Sequence, residues 1–403
     1  MKSRKKQNLM KRVNSQSSFT TSCKPSDTGT SYQLLHRAIW QHLSIALFLL
    51  LSMGVGLGTA TAQAQARAYV TNTGTVSVID TATNTVVATI PVGIFPSGVA
   101  ITPDGTRAYV ANIFNSISVI DTATNTVVVT IPSGQFPTGV AITPDGTRAY
   151  VVNQFVTNQG HNTVSVIDTT TNTIVATIPV GLGAFEIAIT PDGTRAYVPN
   201  QQDFILSVID TATNTVATTI PVSGTAGVAI TPDGTRAYVT SPGGGTVSVI
   251  DITTNTVVAT IPLGTNQNPF GVAITPDGTR AYVTINFPNN VSVIDTATNT
   301  VVATIPVGVG PIGVAITPDG TRAYVTNEGS NTVSGTVSVI DTATNTVVAT
   351  IPVGGHPVAV AITPAPQAPT SKEQCKHRGY LKFGPPAGPF KNQGQCVSYV
   401  EHH

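Results

Sequence analysis

The sequence predicts an all-β chain, a seven-bladed β-propeller of four-stranded antiparallel blades, closed by the C-terminal strand completing the N-terminal blade. Three observations carry that expectation. One pattern of four short strands recurs seven times at a period of about forty residues. The composition, with 36 Gly, 28 Pro and only 10% charged residues, suits short strands and frequent turns rather than disorder or long solvated helices. The first and last copies of the pattern are complementary fragments.

Taken in order, the first strand reads like Gly98-Val-Ala-Ile-Thr102 and ends in a Thr-Pro-Asp-Gly turn, where Pro presets φ and Gly takes the last position. The second strand is Arg-Ala-Tyr-Val, opened by Arg67, Arg107, Arg148, Arg195, Arg236, Arg280 and Arg322. The third is Val-Ser-Val-Ile-Asp, closed by Asp80, Asp121, Asp168, Asp210, Asp251, Asp295 and Asp341. An Asp-Thr-Ala-Thr-Asn-Thr hairpin, whose Asn tolerates positive φ, leads to the fourth, Val-Val-Ala-Thr-Ile-Pro. β-Branched strands with little polar alternation suit sheets buried on both faces. The first copy starts directly at Arg67-Ala-Tyr-Val70, and its missing strand stands at the other end, in Pro357–Pro364. A ring closed by that strand leaves its first blade no open inner edge, whereas a solenoid would need caps instead.

Outside the repeats the chain changes character. Residues 1–66 carry eight Lys or Arg against one Asp, and a basic stretch precedes the apolar run Leu43–Leu57 and small residues around Ala62, Ala64 and Ala66. They read as a signal peptide with a long basic leader, cleaved after Ala64 or Ala66, with an uncleaved membrane anchor as the alternative. Residues 67–366, the propeller, hold seven Arg, sixteen Asp and Glu and no Lys, a balance of −9. Nucleic acid is excluded as a partner on that count, since its affinity comes from clustered cations. Residues 367–403 form a basic tail in which Cys375 and Cys396 are expected to pair in an oxidising compartment.

The runs Tyr69-Val-Thr-Asn72 and Tyr324-Val-Thr-Asn327, set between Thr-Pro-Asp-Gly and Val-Ile-Asp-Thr-Ala-Thr-Asn-Thr, resemble the YVTN family of propeller repeats. The resemblance spans about residues 67–366. It implies a secreted or cell-surface protein of the surface-layer type, without catalysis. Its expected partner is a protein or polysaccharide of the cell envelope. Phe390–Tyr399, around Cys396, resembles a short two-Cys segment that ends various secreted bacterial proteins.

In an up-and-down blade the first and third connections share one end, and here they are near-invariant. The second connection and the blade-to-blade link share the other end and vary freely, so a binding function is expected there. All eight Phe of the propeller fall in or beside variable connections: Phe95, Phe114, Phe136, Phe155, Phe185, Phe204, Phe270 and Phe287. So do the off-pattern ionisable residues His161, Glu186, Asp203, Glu328 and His356. The Phe residues either staple loops onto the blades or form an aromatic binding rim. The Arg and Asp series reads as structural ion pairs or turn caps, and the repeated Tyr as inter-blade packing.

Catalytic residues, a metal site and cofactors are not expected, so the sequence reads as that of a protein that is not an enzyme. Two His from different connections make no metal-ligand set, and no Ser-His-Asp grouping or phosphate-binding loop is present. The alternative is a propeller enzyme, lyase or lactonase-like, with a site at the channel mouth near Glu186. That residue replaces the Gly that opens most first strands.

Overall fold

The computed structural model describes residues 66–155, 162–330 and 334–364, with the Phe155 side chain left out. The leader, His161, Cys375, Cys396 and the tail lie outside the described residues. Twenty-eight strands, β1–β28 in chain order, form seven antiparallel sheets of four. Blade 1 orders its strands β28 (Val360–Ile362), β1 (Arg67–Asn72), β2 (Thr75–Asp80) and β3 (Thr85–Pro91). Blades 2 to 7 follow in sequence, each built from four consecutive strands.

The expected closure is present. Ala68, Tyr69 and Val70 pair with Ile362, Ala361 and Val360, and the ladder is extended by Thr71 N–H donating to Ala359 O at 3.0 Å. Blade 1 therefore has no open inner edge, and one hydrophobic cluster joins its Ala68 and Val70 to Tyr324, Val337 and Val339 of blade 7.

Burial follows position in the blade. Second and third strands are buried almost throughout, as in β1 and β2. Both of their faces meet a neighbouring sheet, so seven hydrophobic clusters, rather than one, form the core. Each fourth strand lies outermost and exposed, with a register shift against the third in every blade, such as that between Val78 and Ile79. Bulges of this kind twist an open edge away from pairing with another chain.

The invariant end is held by three repeated devices. Every Arg of the second strand faces the Asp that ends the third, as Arg67 faces Asp80, and ion pairs join Arg107 to Asp121, Arg280 to Asp295 and Arg322 to Asp341. The same Asp caps its hairpin, as Asp121 does by accepting from the Thr124 backbone N–H at 2.9 Å. Each buried Tyr donates its hydroxyl to the hairpin Asn of the next blade, from Tyr69 to Asn125 at 3.0 Å round to Tyr324 and Asn84 at 2.7 Å. Every one of those Asn holds a left-handed φ, 53–56°.

Candidate functional site

The seven first strands converge on a central channel whose cavity, about 140 Å³, is lined from every blade. Glycine at the lining position is a steric requirement. A Cβ on Gly313 would stand 2.6 Å from Val358 O, and one on Gly139 would stand 2.7 Å from Phe185 O. Adjacent blades therefore approach backbone to backbone, and the equivalent residues are Gly98, Gly139, Gly227, Gly271, Gly313 and Ala359. In blade 4 the residue is Glu186.

The lining position is skipped by the ladder in every blade, as at Gly98 between the Pro96–Asn112 and Val99–Val110 pairs, so a side chain there costs little pairing. Blade 4 keeps the matching Ala184–Asn200 bridge and the pairs of Ala188 and Ile189, and lacks only that of Ile187. Its neighbour in blade 5 is Ala226, the smallest residue of the series Ser97, Thr138, Phe185, Ala226, Phe270, Ile312 and Val358. Glu186 sits half-buried in the channel wall, and among the described residues no other one lining the cavity is ionisable. Burial pushes its carboxyl from 4.5 up to about 7, against the opposing pull of the Ile187 backbone N–H. It is thus poised to exchange a proton at neutral pH.

The rest of the ring is asymmetric. In blades 1, 5, 6 and 7 the Thr after Tyr-Val bridges blades. Thr284 Oγ1 donates to Ile312 O at 2.6 Å and accepts from the Gly271 N–H at 2.8 Å, and Thr71, Thr240 and Thr326 do the same around the ring. Blades 2, 3 and 4 have Ala111, Val152 and Pro199 there. In that sector Gly139 N–H donates directly to Phe185 O. The hydroxyls of Thr138 and Thr225, in the blades flanking blade 4, are buried without a hydrogen-bond partner among the described residues.

Of the residues singled out in the sequence, Phe185 and Phe270 line the cavity with Glu186. Phe95, Phe114, Phe136, Phe204 and Phe287 are exposed, Phe95 and Phe114 with ring centroids 6.1 Å apart. Phe95 and Phe136 hold left-handed φ of 49° and 50°, at a position where blades 4, 5 and 7 have Gly183, Gly224 and Gly310. Asp203 does not join Glu186 in the cavity lining; it accepts from the Leu182 N–H at 2.7 Å. Glu328 and His356 face each other at 3.5 Å, across the join between blades 7 and 1. Among the described residues no group of three His, Cys, Asp or Glu could hold a metal ion. Sequence reasoning missed the bridging Thr. The signal was there, in the interruption of Tyr-Val-Thr by Ala111, Val152 and Pro199.

Fold and site together define a seven-bladed β-propeller with one off-pattern carboxyl group in its channel. No family model matches the chain, and no curated protein matches it in sequence. Among solved structures, it resembles a chain of hydrazine synthase from Kuenenia stuttgartiensis, at 27% identity and TM-score 0.60 over 67% of this chain and 90% of that one. A protein of unknown function from Desulfotomaculum acetoxidans matches at 19% identity and TM-score 0.63, over 74% and 99% of the two chains. The dihydro-heme d1 dehydrogenase NirN matches at 17% identity and TM-score 0.55, over 73% and 74%. The last two show the fold alone.

The expectation of a protein that is not an enzyme is corrected by the first of these likenesses, since a propeller chain of comparable sequence belongs to a synthase. The physical reason lies in what a sequence motif can record. Absent triads, metal sets and phosphate loops exclude those arrangements, but a single carboxyl group tuned by burial leaves no such motif.

Proposed function

We propose that the protein is a propeller enzyme of the lyase type, acting outside the cytoplasm, with Glu186 as its proton-transfer group. The observation that carries the reading is the placement of one carboxyl group, with no ionisable neighbour among the described lining residues, in a channel where most other blades require glycine. As carboxylate, Glu186 would take a proton from a carbon next to a carbonyl. The C–H electron pair would form a double bond, and the leaving group on the adjacent carbon would depart. A carboxyl group titrating near 7 suits this task, because ionised and protonated forms are both populated at neutral pH. Similarity to a synthase chain supports catalysis, and the basic and apolar segments before residue 66 support the location.

The test uses 4-acetoxybutan-2-one, which loses acetate to a conjugated ketone with strong ultraviolet absorption. The full-length protein should accelerate this loss, with a rate that rises with pH through a midpoint of about 7. Glu186→Gln should abolish the acceleration and Glu186→Asp retain part of it. Equal rates for Glu186→Gln and wild type, or no acceleration by either, would sink the reading.

A further inference from the structure

Charge is segregated along the propeller axis. All seven Arg open second strands, and so stand at the invariant end beside the Asp residues that close the third. At the channel-mouth end the described ionisable residues are Glu186, Asp203, Glu328 and His356, with neither Arg nor Lys. Glu328 faces His356 and Asp203 accepts from the Leu182 N–H away from the cavity, which leaves Glu186 as the carboxyl group of the described channel lining, with no cation beside it there. The elements packed around it bring none: the cavity residues of blades 1, 2, 3, 5, 6 and 7 are apolar or glycine, apart from Ser97.

Exposed apolar side chains are denser on one side of the ring. Ile94, Phe95, Phe114, Phe136, Leu182 and Phe204 are exposed at the variable end on blades 2, 3 and 4, the sector that contains Glu186 and lacks the bridging Thr, against Phe287 on blade 6 and Val309 on blade 7. Phe95 and Phe136 stand three residues before Gly98 and Gly139, within about 10 Å of chain. Their left-handed backbone is one that glycine adopts without strain, so a bulky ring there is retained against a conformational cost.

We propose that this end binds an amine, its protonated nitrogen in the channel against Glu186 and its apolar body on the Phe rim of blades 2 to 4. The inference rests on the reading of Glu186 as the working group and names the substrate class for it. Anions are disfavoured because the described residues of the mouth include neither Arg nor Lys and the one His, His356, faces Glu328. A metal cation needs several oxygen donors. The channel carbonyls of Ser97, Phe270, Ile312 and Val358 already accept from Thr hydroxyls, and that of Phe185 accepts from Gly139 N–H. An organic ammonium needs only one carboxylate, and Phe185 and Phe270, which line the same cavity, offer aromatic faces for cation–π attraction. A cavity of about 140 Å³ admits the head of such a molecule and leaves its body outside.

The experiment compares 2-phenylethylamine, 2-phenylethanol and phenylacetate, three probes of one shape and different charge, by calorimetry on the full-length protein. Well above the Glu186 midpoint the amine should bind about tenfold tighter than the alcohol or more, and phenylacetate most weakly. Between about 1.5 pH units above and 1.5 below that midpoint, amine affinity should fall about eight-fold, toward that of the alcohol, while alcohol affinity holds. Glu186→Gln should bring the amine down to the alcohol and remove the pH dependence. Phe95→Gly and Phe136→Gly, which keep a backbone that glycine adopts elsewhere in the ring, should weaken amine and alcohol alike. A parallel ¹³C-glutamate titration separates two failures. With a Glu186 midpoint near 7 and an amine that binds no better than the alcohol, the inference falls and the proton-transfer reading survives. With an ordinary carboxyl midpoint, the proton-transfer reading falls as well.

Discussion

Glu186 stands where five blades have glycine and a sixth has Ala359, and its setting sets stability against function. Its carboxyl titrates at about 7 in the folded chain against an ordinary 4.5, so the neutral form fits the channel better than the charged one. Its contribution to stability is therefore complete below about 4.5 and is lost as pH rises through about 7. Glu186→Gln should melt above wild type beyond pH 7, by no more than about 3 kcal/mol since channel water screens part of the charge, and should lose that gain near pH 4. Thermal melts of both proteins across that range check the expectation; parallel curves would contradict it. The sequence made Glu186 legible as a break in a repeat. Its altered acidity was not legible, because it comes from surroundings supplied by strands from Ser97 to Val360.

At the scale of the element, each second strand is tied to the next blade by one Tyr hydroxyl and one hairpin Asn. Tyr238 donates to Asn299 at 2.9 Å, and Asn299 holds φ of 53°. Tyr238→Phe should cost about 1 kcal/mol, the usual net worth of such a bond. Asn299→Ala should cost about 2 kcal/mol, adding left-handed strain, and Asn299→Gly should recover the strain but not the bond. Denaturant titration ranks the three, and an Ala variant no worse than Phe would contradict the account. The Tyr pattern was readable as inter-blade packing, and Asn at a positive-φ turn was readable too. That the two are partners was not, since six of the pairs are about sixty residues apart in sequence, such as Tyr109 and Asn172, and the seam pair Tyr324 and Asn84 is 240 apart.

Across the whole molecule the seven Tyr–Asn bonds run in one direction and close on themselves through Tyr324 and Asn84. Desolvation by burial pushes Tyr69, Tyr109, Tyr282 and Tyr324 up to about 12 from an ordinary 10. Their neutral hydroxyls support the fold fully below pH 10, and that support is lost as pH rises toward 12, at about 1.4 kcal/mol per unit for each Tyr. With no Lys between residues 67 and 366, few other groups of the propeller titrate in that window. Circular dichroism during alkaline titration should show cooperative unfolding above pH 10; Tyr324→Phe, about 1 kcal/mol weaker at neutral pH for want of the seam bond, should lose less as pH rises, and the gap should close at about pH 11. Unchanged stability up to pH 12 would contradict the ring account.

The repeat by itself determined the strands, the turns, the blade count and the closure by β28, because each depends on residues a few positions apart or on counting copies. It also separated an invariant end from a variable one, and placed Glu186 and the Phe residues on the latter. Only the tertiary structure decided that Glu186 is the one ionisable group among the described residues lining the channel, that Asp203 is bound to Leu182, and that four of the five exposed Phe stand on blades 2 to 4. Those facts arise where blades distant in sequence meet. The burial that tunes an acid and the backbone approach that demands glycine are properties of the meeting, not of any single repeat.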